Sequence, residues 1–337
     1  MVTRRSFLTA ATLGPVVWAE ARAAAEPVAL TRGSDAPVAR VFAAGPPAAL
    51  IVYVLAPSAL LGWPMRVESE SLSWMGPPAG DLPLLGRLAG RGSTVSLETL
   101  VQLKPDLVLD IGTVDGTHAS TAERVGQQTG LRYALLDGRL AESASLLRRV
   151  GALLGVPERG ERLAREADRI LMEVERGRPG RAATGVYFAR GTDGLETGLG
   201  GSINVEALEY VGARNVAAAA GKGGIARVSL EQVLAWDPEV VVTQDAAFAR
   251  SVRADPLWRG VRALREGRVL CAPTLPFGWL DGPPGINRLI GVLWLARRLD
   301  PTRTGGDLRG RVRAFYDAFY RIALSEAQID RLLGDAK

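Results

Sequence analysis

The sequence holds one histidine, His118, and one cysteine, Cys271. A Ser-His-Asp relay or an imidazole-rich zinc site would have to run through His118 alone, and neither an internal disulfide nor a cysteine metal cluster is open to the chain. It offers instead arginines and aromatics in glycine- and proline-rich segments. Arg87 and Arg91 lie in GRLAGRGST, and Tyr187, Arg190 and Glu196 in VYFARGTDGLETG. Phe248 follows the strand-like VVVT, and Phe277 and Trp279 lie in APTLPFGWLDGPPG. A guanidinium is a planar, permanently charged fork for carboxylate, catecholate or oxyanion groups, and rings beside it supply apolar, cation-tolerant walls. This is chemistry for holding an anion rather than transforming one. Acid pairs suited to hydrolysis exist, Asp110 with Asp115 or Glu206 with Glu209, but such pairs arise freely in a charged chain, so an exported hydrolase is the lesser alternative.

Each candidate has a plainer role open to it. Arg87 and Arg190 could pair with Asp81, Asp193 or Glu196 and merely fix loop shape. His118, at the start of an expected helix, could stand exposed or fill an open coordination position of a metal complex. Cys271, in the strand-like RVLCAP, is expected to be a buried, inert thiol. Trp63 and Trp74 are expected in packing. Gly221-Lys222-Gly223-Gly224 lacks P-loop spacing and reads as a turn.

The elements that must position these residues are organised around a repeat. Residues 95–109, VSLETLVQLKPDLVL, return at 228–242 as VSLEQVLAWDPEVVV, with six of fifteen positions identical. Each copy has a Ser that can cap a helix, an acid in its first turn, apolar residues at helical spacing, a Pro that stops it and a β-branched run. Two copies 133 residues apart suit two similar α/β lobes rather than a solenoid. Between them, residues 158–176 place Leu163, Ala167, Ile170, Leu171 and Val174 on one stripe, with Glu158–Arg162 and Glu161–Arg165 four apart on charged faces. Strands are expected at 38–43, 106–111, 133–136, 184–189, 240–243 and 268–271. Further helices are expected at 48–55, after Thr117 or Ser120, and at 142–154, 204–211, 284–299, 307–321 and 325–333. Residues 62–80 are expected to be irregular.

At 337 residues, with 47% apolar and 23% charged, the chain can fill a two-domain core. Its charge of +5 is mild, and setting aside the first 25 residues, which hold three arginines and one acid, leaves +3. That excludes an argument for nucleic acid. The opening MVTRRSFLTAATLGPVVWAEARAAAEP pairs two arginines with a short apolar run and ends in three alanines. It reads as an export signal of the twin-arginine type, cleaved after about Ala25. No cysteine stands near the cleavage site, so a soluble mature protein is expected in the periplasm.

The order of these segments resembles the periplasmic substrate-binding proteins of ABC importers for iron-siderophores, cobalamin and related metal complexes, over residues 39–333. It is carried by GPPAAL, LETLVQLKPDLVL, a mid-chain helix, GLETGLGGSINVEALEYVGARNVA, VSLEQVLAWDPEVVV and DPLWRGVRALREGRVL. The resemblance implies an α/β fold of two doubly wound lobes joined by a single long helix: 26–155, a connecting helix at 156–177, and 178–337. It implies little hinge closure, no cofactor, no catalysis, and a monomer that delivers a metal chelate to a permease with its ATPase. A ferric siderophore heads the expected ligands; cobalamin, a nickel or cobalt complex and a molybdate-like oxyanion are alternatives. Ligands of open α/β sheets bind beyond the strands' carboxyl ends. The expected contacts are Pro46, Pro47, Arg87, Arg91, His118, Tyr187, Arg190, Glu196, Phe248, Phe277 and Trp279. The resemblance also implies that Glu98 and Glu231, equivalent in the two repeats, meet arginines of the permease.

Overall fold

The computed structural model describes residues 37–89, 92–178, 183–302 and 306–334. Arg91 and the expected export signal lie outside the described residues. The first lobe contains β1 (Val41–Ala43), α1 (Pro46–Leu55), α2 (Leu97–Gln102), β2 (Leu107–Gly112), α3 (Gly116–Thr129), β3 (Tyr133–Asp137) and α4 (Ser143–Leu153). Helix α5, Pro157–Arg176, leads to β4 (Gly185–Ala189), β5 (Glu196–Gly198), α6 (Glu206–Tyr210), β6 (Arg214–Asn215), β7 (Ile225–Arg227), α7 (Leu230–Trp236), β8 (Val240–Thr243) and β9 (Val269–Cys271). Helices α8 (Arg288–Leu299), α9 (Leu308–Phe315) and α10 (Glu326–Leu333) follow. One parallel sheet has the order β1-β2-β3 and the other β6-β4-β8-β9, while β5 and β7 form an antiparallel pair.

The repeat is structural as well as textual. Ser96 caps α2 by accepting from Thr99 N at 3.0 Å, and Ser229 caps α7 by accepting from Gln232 N at 3.3 Å. Lys104 and Asp237, at the same repeat position, are both left-handed, with φ of 47° and 41°. Each immediately precedes the Pro that ends its helix, and β2 and β8 then begin at equivalent residues.

Strand periodicity explains the core. In β2, Leu107, Leu109 and Ile111 face one cluster and Val108 another; in β4, Val186 and Phe188 oppose Tyr187 and Ala189. The inner strands β2, β4 and β8 are buried on both faces, which is why they read as nearly continuous apolar runs. The inner faces join one core that also holds the α5 stripe from Leu163 to Val174 and the middle of α8. Helices α4 and α5 touch backbone to backbone: a Cβ at Gly160 would lie 2.9 Å from Leu147 O.

Several local expectations shift for identifiable reasons. Strand β1 starts at Val41 because the Ala39 and Arg40 amides donate to the Asp106 carboxylate, at 2.9 and 2.8 Å, instead of joining a ladder. The 62–80 stretch contains one helical turn, Ser69–Leu72. Asp115, rather than Thr117 or Ser120, caps α3. The last long helix changes at Tyr316 to the wider turns of Tyr316–Tyr320, where the Tyr316 hydroxyl donates to Leu275 O and the Tyr320 hydroxyl to Asn287 Oδ1. Cys271 stands on the sheet's edge strand with an exposed residue surface, contrary to the expected burial, because among the described residues no strand pairs beyond β9. Enough protein still surrounds its sulfur to push the thiol pKa up, an effect the Asp245 charge adds to.

One buried charge ties the halves together. Arg288, 2% exposed at the start of α8, sits 2.7 Å from Glu206 Oε2 and donates to Gly138 O beyond β3 at 2.5 Å and to Gly285 O at 3.2 Å. Glu206 Oε2 also accepts from Leu140 N at 2.9 Å. Glu206, a conceivable hydrolase acid from sequence, is committed to this pair. Removing one partner of a buried ion pair strands the other. Arg288→Ala is therefore expected to lower the unfolding free energy by about 3–5 kcal/mol in a urea titration, and a loss under about 1 kcal/mol, the scale of a surface ion pair, would show that the pair does not join the lobes.

Candidate functional site

The carboxyl ends of β1, β2 and β4 open onto a cleft of about 420 Å³. Pro46 and Pro47, where α1 begins directly after β1, line it together with Pro283 and Pro284. Ile111, Leu135, Ile203 and Ile225 make the lining mainly apolar. Into this surface project Arg87, Asp110, His118, Arg190, Asn204 and Asp281.

On the first lobe, the Leu88 and Ala89 amides both bind Ala44 O, at 2.8 and 2.9 Å, drawing the Arg87 loop to the end of β1. Gly86, with φ of 87°, turns the chain where a Cβ would lie 2.8 Å from Thr94 Oγ1. Thr94 accepts from Arg87 N at 3.0 Å, and Arg87 Nε donates to Gly92 O at 3.2 Å. His118 stands in the first turn of α3, its Nδ1 2.7 Å from Asp115 Oδ1. The same carboxylate oxygen accepts from His118 N at 2.9 Å, so the capping group also fixes the ring. The hydrogen bonds from His118 hold the Asp115 carboxyl below its usual range.

On the second lobe, Arg190 follows β4, and its backbone is bridged to Glu196, with Arg190 N donating to Glu196 O at 2.8 Å. Its Nε lies 3.0 Å from Asp281 Oδ2. Asp281 is 1% exposed and is held in turn by Asn204 Nδ2 at 2.9 Å, while Gln244 Oε1 accepts the Asp281 amide at 2.9 Å. The contact to Oδ2 is an ion pair without hydrogen-bond alignment, and buried Arg190 Nη1 finds no acceptor among the described residues. A buried donor left unpaired costs about 1–3 kcal/mol, and Asp281 Oδ2, also without a hydrogen-bond partner among the described residues, lies beside the same guanidinium.

Of the residues singled out from sequence, Pro46, Pro47, Arg87, His118 and Arg190 converge on the cleft. Four aromatics do not. Tyr187 is fully buried, its hydroxyl donating to Gly194 O at 2.8 Å, with its ring 6.3 and 6.4 Å from Trp236 and Trp258. Phe248 packs edge-on to Trp258 at 5.3 Å. Phe277 stands 6.1 Å from Trp63, and fully buried Trp279 donates to Leu275 O at 3.2 Å. The Pro/Gly-rich segment that carries Phe277 and Trp279 is clamped under α8: a Cβ at Gly291 would come 1.8 Å from Trp279 O. Glu196 is placed by its strand pairing and is not among the cleft-lining residues. Trp63 and Trp74 are buried as packing, and Gly221 to Gly224, expected as a turn, instead bridge Gly200 through Lys222 and then bend.

Sequence reasoning missed Asp281, Asn204 and Met65, and it considered Asp110 only as one acid of a disfavoured hydrolase pair. Only a carboxylate interrupting the apolar strand LVLDIG, and another directly before Gly282-Pro283, could have signalled two of them.

The family model for periplasmic binding proteins matches residues 81–274, more than half of the chain. The chain belongs to this family. Its two sheets, joined by the single helix α5, make it a binding protein of the helical-backbone type. The molybdate-binding protein MolA of Haemophilus influenzae is 38% identical over 118 residues, 34% of this chain, and the match spans 33% of that relative's own length. A solved ABC transporter solute binding protein from Sulfurospirillum deleyianum superposes with a TM-score of 0.78 at 25% identity, covering 88% of this chain and 94% of that one. Molybdate-bound MolA superposes at 0.65 with 22% identity, covering 86% and 94%, a likeness of fold.

Asp110, at the cleft floor of this binding protein, makes a testable electrostatic site. Burial pushes its carboxyl above the ordinary 3.8, while the Tyr133 hydroxyl at 3.1 Å, the neighbouring His118 charge and the Ile111 amide pull the other way. A carboxyl whose folded pKa is raised keeps its proton to higher pH in the fold than in the unfolded chain. Stability is therefore lost as pH rises from 3.8 through the raised value. Asp110→Asn removes that loss, so its urea midpoint is expected to gain on the wild type across this window; a constant gap would contradict the buried placement.

Proposed function

We propose that this binding protein is the extracytoplasmic capture component of an ABC importer and that its ligand is a compact, anionic metal chelate, with small ferric siderophores the leading class. The observation that carries the reading is Arg190, a partly exposed guanidinium lining a mainly apolar cleft beside the buried Asp281. A ligand oxyanion or carboxylate would satisfy that donor, with Arg87 supplying a second positive charge from the other lobe and His118 an imidazole. One histidine and one cysteine are too few for a dedicated bare transition-metal site, which favours a metal that arrives already chelated. A molybdate-like oxyanion is the second reading, favoured by the 118-residue match to MolA. Export through the twin-arginine segment and action as a monomer belong to the same proposal.

Glu98 and Glu231 are both exposed, in the first turns of α2 and α7. Ala44 O at the end of β1 holds the approach to α2, and Val228 N, donating to Leu195 O at 2.9 Å, ties the approach to α7 to the segment after β4. Both acids thus stand at the end of their sheets where the cleft opens, one on each lobe. That placement suits two carboxylates offered to a permease astride the cleft. Their simpler effect, favouring the helix dipole, amounts to about 0.3–1 kcal/mol and is compatible with docking.

Tryptophan-fluorescence titration against ferric siderophores, cobalamin, nickel-histidine and molybdate tests the ligand class. At least one is expected to bind below about 10 μM, and failure of all four would overturn the reading. Arg190→Met is expected to weaken that binding by about 2–5 kcal/mol, with its melting temperature serving as the control for folding. The Glu98→Ala, Glu231→Ala double variant is expected to keep wild-type affinity and lose uptake in cells; normal uptake would eliminate the docking role.

A further inference from the structure

Beside the cleft lies a second hollow of about 250 Å³, floored by Trp63 and walled by Met65, Val67, Leu72, Leu82 and Leu84. Met65 lines both spaces. It is half-buried and packs against the main core, and its unbranched thioether has three rotatable bonds, so the partition between cleft and hollow is a side chain that can change rotamer. The outer lip is Leu84, 58% exposed and one of the few large apolar side chains left open to solvent among the described residues.

The walls are built rather than incidental. Trp63 N donates to Pro83 O at 2.7 Å and Leu85 N to Trp63 O at 2.8 Å, pairing the two segments that form opposite sides. Trp63 Nε1 donates to Ala79 O at 3.0 Å, which fixes the indole. Gly62 permits this approach, since a Cβ there would lie 2.4 Å from Pro83 O. A hollow lined mostly by apolar side chains, with Arg66 and backbone polar groups at its wall, that shares Met65 with the cleft suits a single ligand with two parts: a polar head beside Arg190 and an apolar arm beyond Met65. At about 30 Å³ per water-sized group, the hollow holds roughly eight such groups, a short alkyl or aryl arm rather than a protein segment.

Resting on the anionic-chelate reading above, we infer that this hollow is an accessory subsite for an apolar arm of the ligand, with Met65 as the specificity-determining residue at its entrance. The subsite selects chelators that carry a hydrophobic extension over those that do not.

The test compares two probes with one head group, ferric citrate and the ferric complex of citrate mono-octylamide, titrated by tryptophan fluorescence into the full mature chain. The armed complex is expected to bind more than about tenfold tighter, since each methylene buried is worth about 0.8 kcal/mol. Leu84→Asp, which sets a charge at the exposed lip and should not disturb folding, is expected to erase that difference and leave ferric citrate affinity unchanged. Equal binding of the two probes by the wild type, or a preference that survives Leu84→Asp, overturns the subsite and leaves the chelate reading standing. If neither complex binds, the ferric-chelate reading falls and takes this inference with it.

Discussion

The architecture depends on one desolvated guanidinium. Arg288 enters the core at the start of α8 and is matched there by a carboxylate from the second lobe and a carbonyl from the first. A charge in such a place is tolerated only when geometry and hydrogen bonding are nearly complete, so the ends of β3, α6 and α8 are all constrained to one arrangement. Around it runs a core shared by both sheets and α5. Because close-packed interiors do not deform continuously, two lobes that share a core and a buried ion pair move far less freely than two joined by strands or a linker.

The cleft is held by the same packing. Its polar groups are oriented before any ligand arrives: Arg190 by Asp281, Asp281 by Asn204 and Gln244, His118 by Asp115. The counter-ion beside Arg190 is 1% exposed and supported by the protein's own donors, so the arginine's direction is set. Pre-organisation of this kind lowers the ordering cost of binding. The surrounding apolar wall strengthens what charge interaction remains by excluding water.

Much of this was legible in the residues. The VSLE repeat predicted two like lobes, and its copies share a serine cap, a left-handed residue before proline and the start of a strand. The apolar stripe of α5 marked the connecting helix because helical periodicity and burial on one face are the same fact. Arg190 follows a strand, His118 opens a helix and Arg87 lies in the loop before the repeat helix, placements the sequence pattern already suggested. The aromatics misled: a Pro/Gly-rich segment signals an irregular backbone, and irregular backbone is usually exposed, but here α8 and the turns after α9 cover it and Trp279 becomes core.

The sequence by itself determined the local and periodic features: the strand runs, the capped helices, the duplication, the family, and a single histidine and cysteine that narrow the chemistry. Only the tertiary structure decided which polar groups meet. Asp281 and Arg190 lie 91 residues apart in the chain, Arg288 and Gly138 lie 150 apart, and Met65 touches two cavities at once. Such pairings follow from how the sheets and α8 pack together, and no periodicity in the residues records them, because a side chain's partner is chosen by the whole fold rather than by its neighbours in sequence.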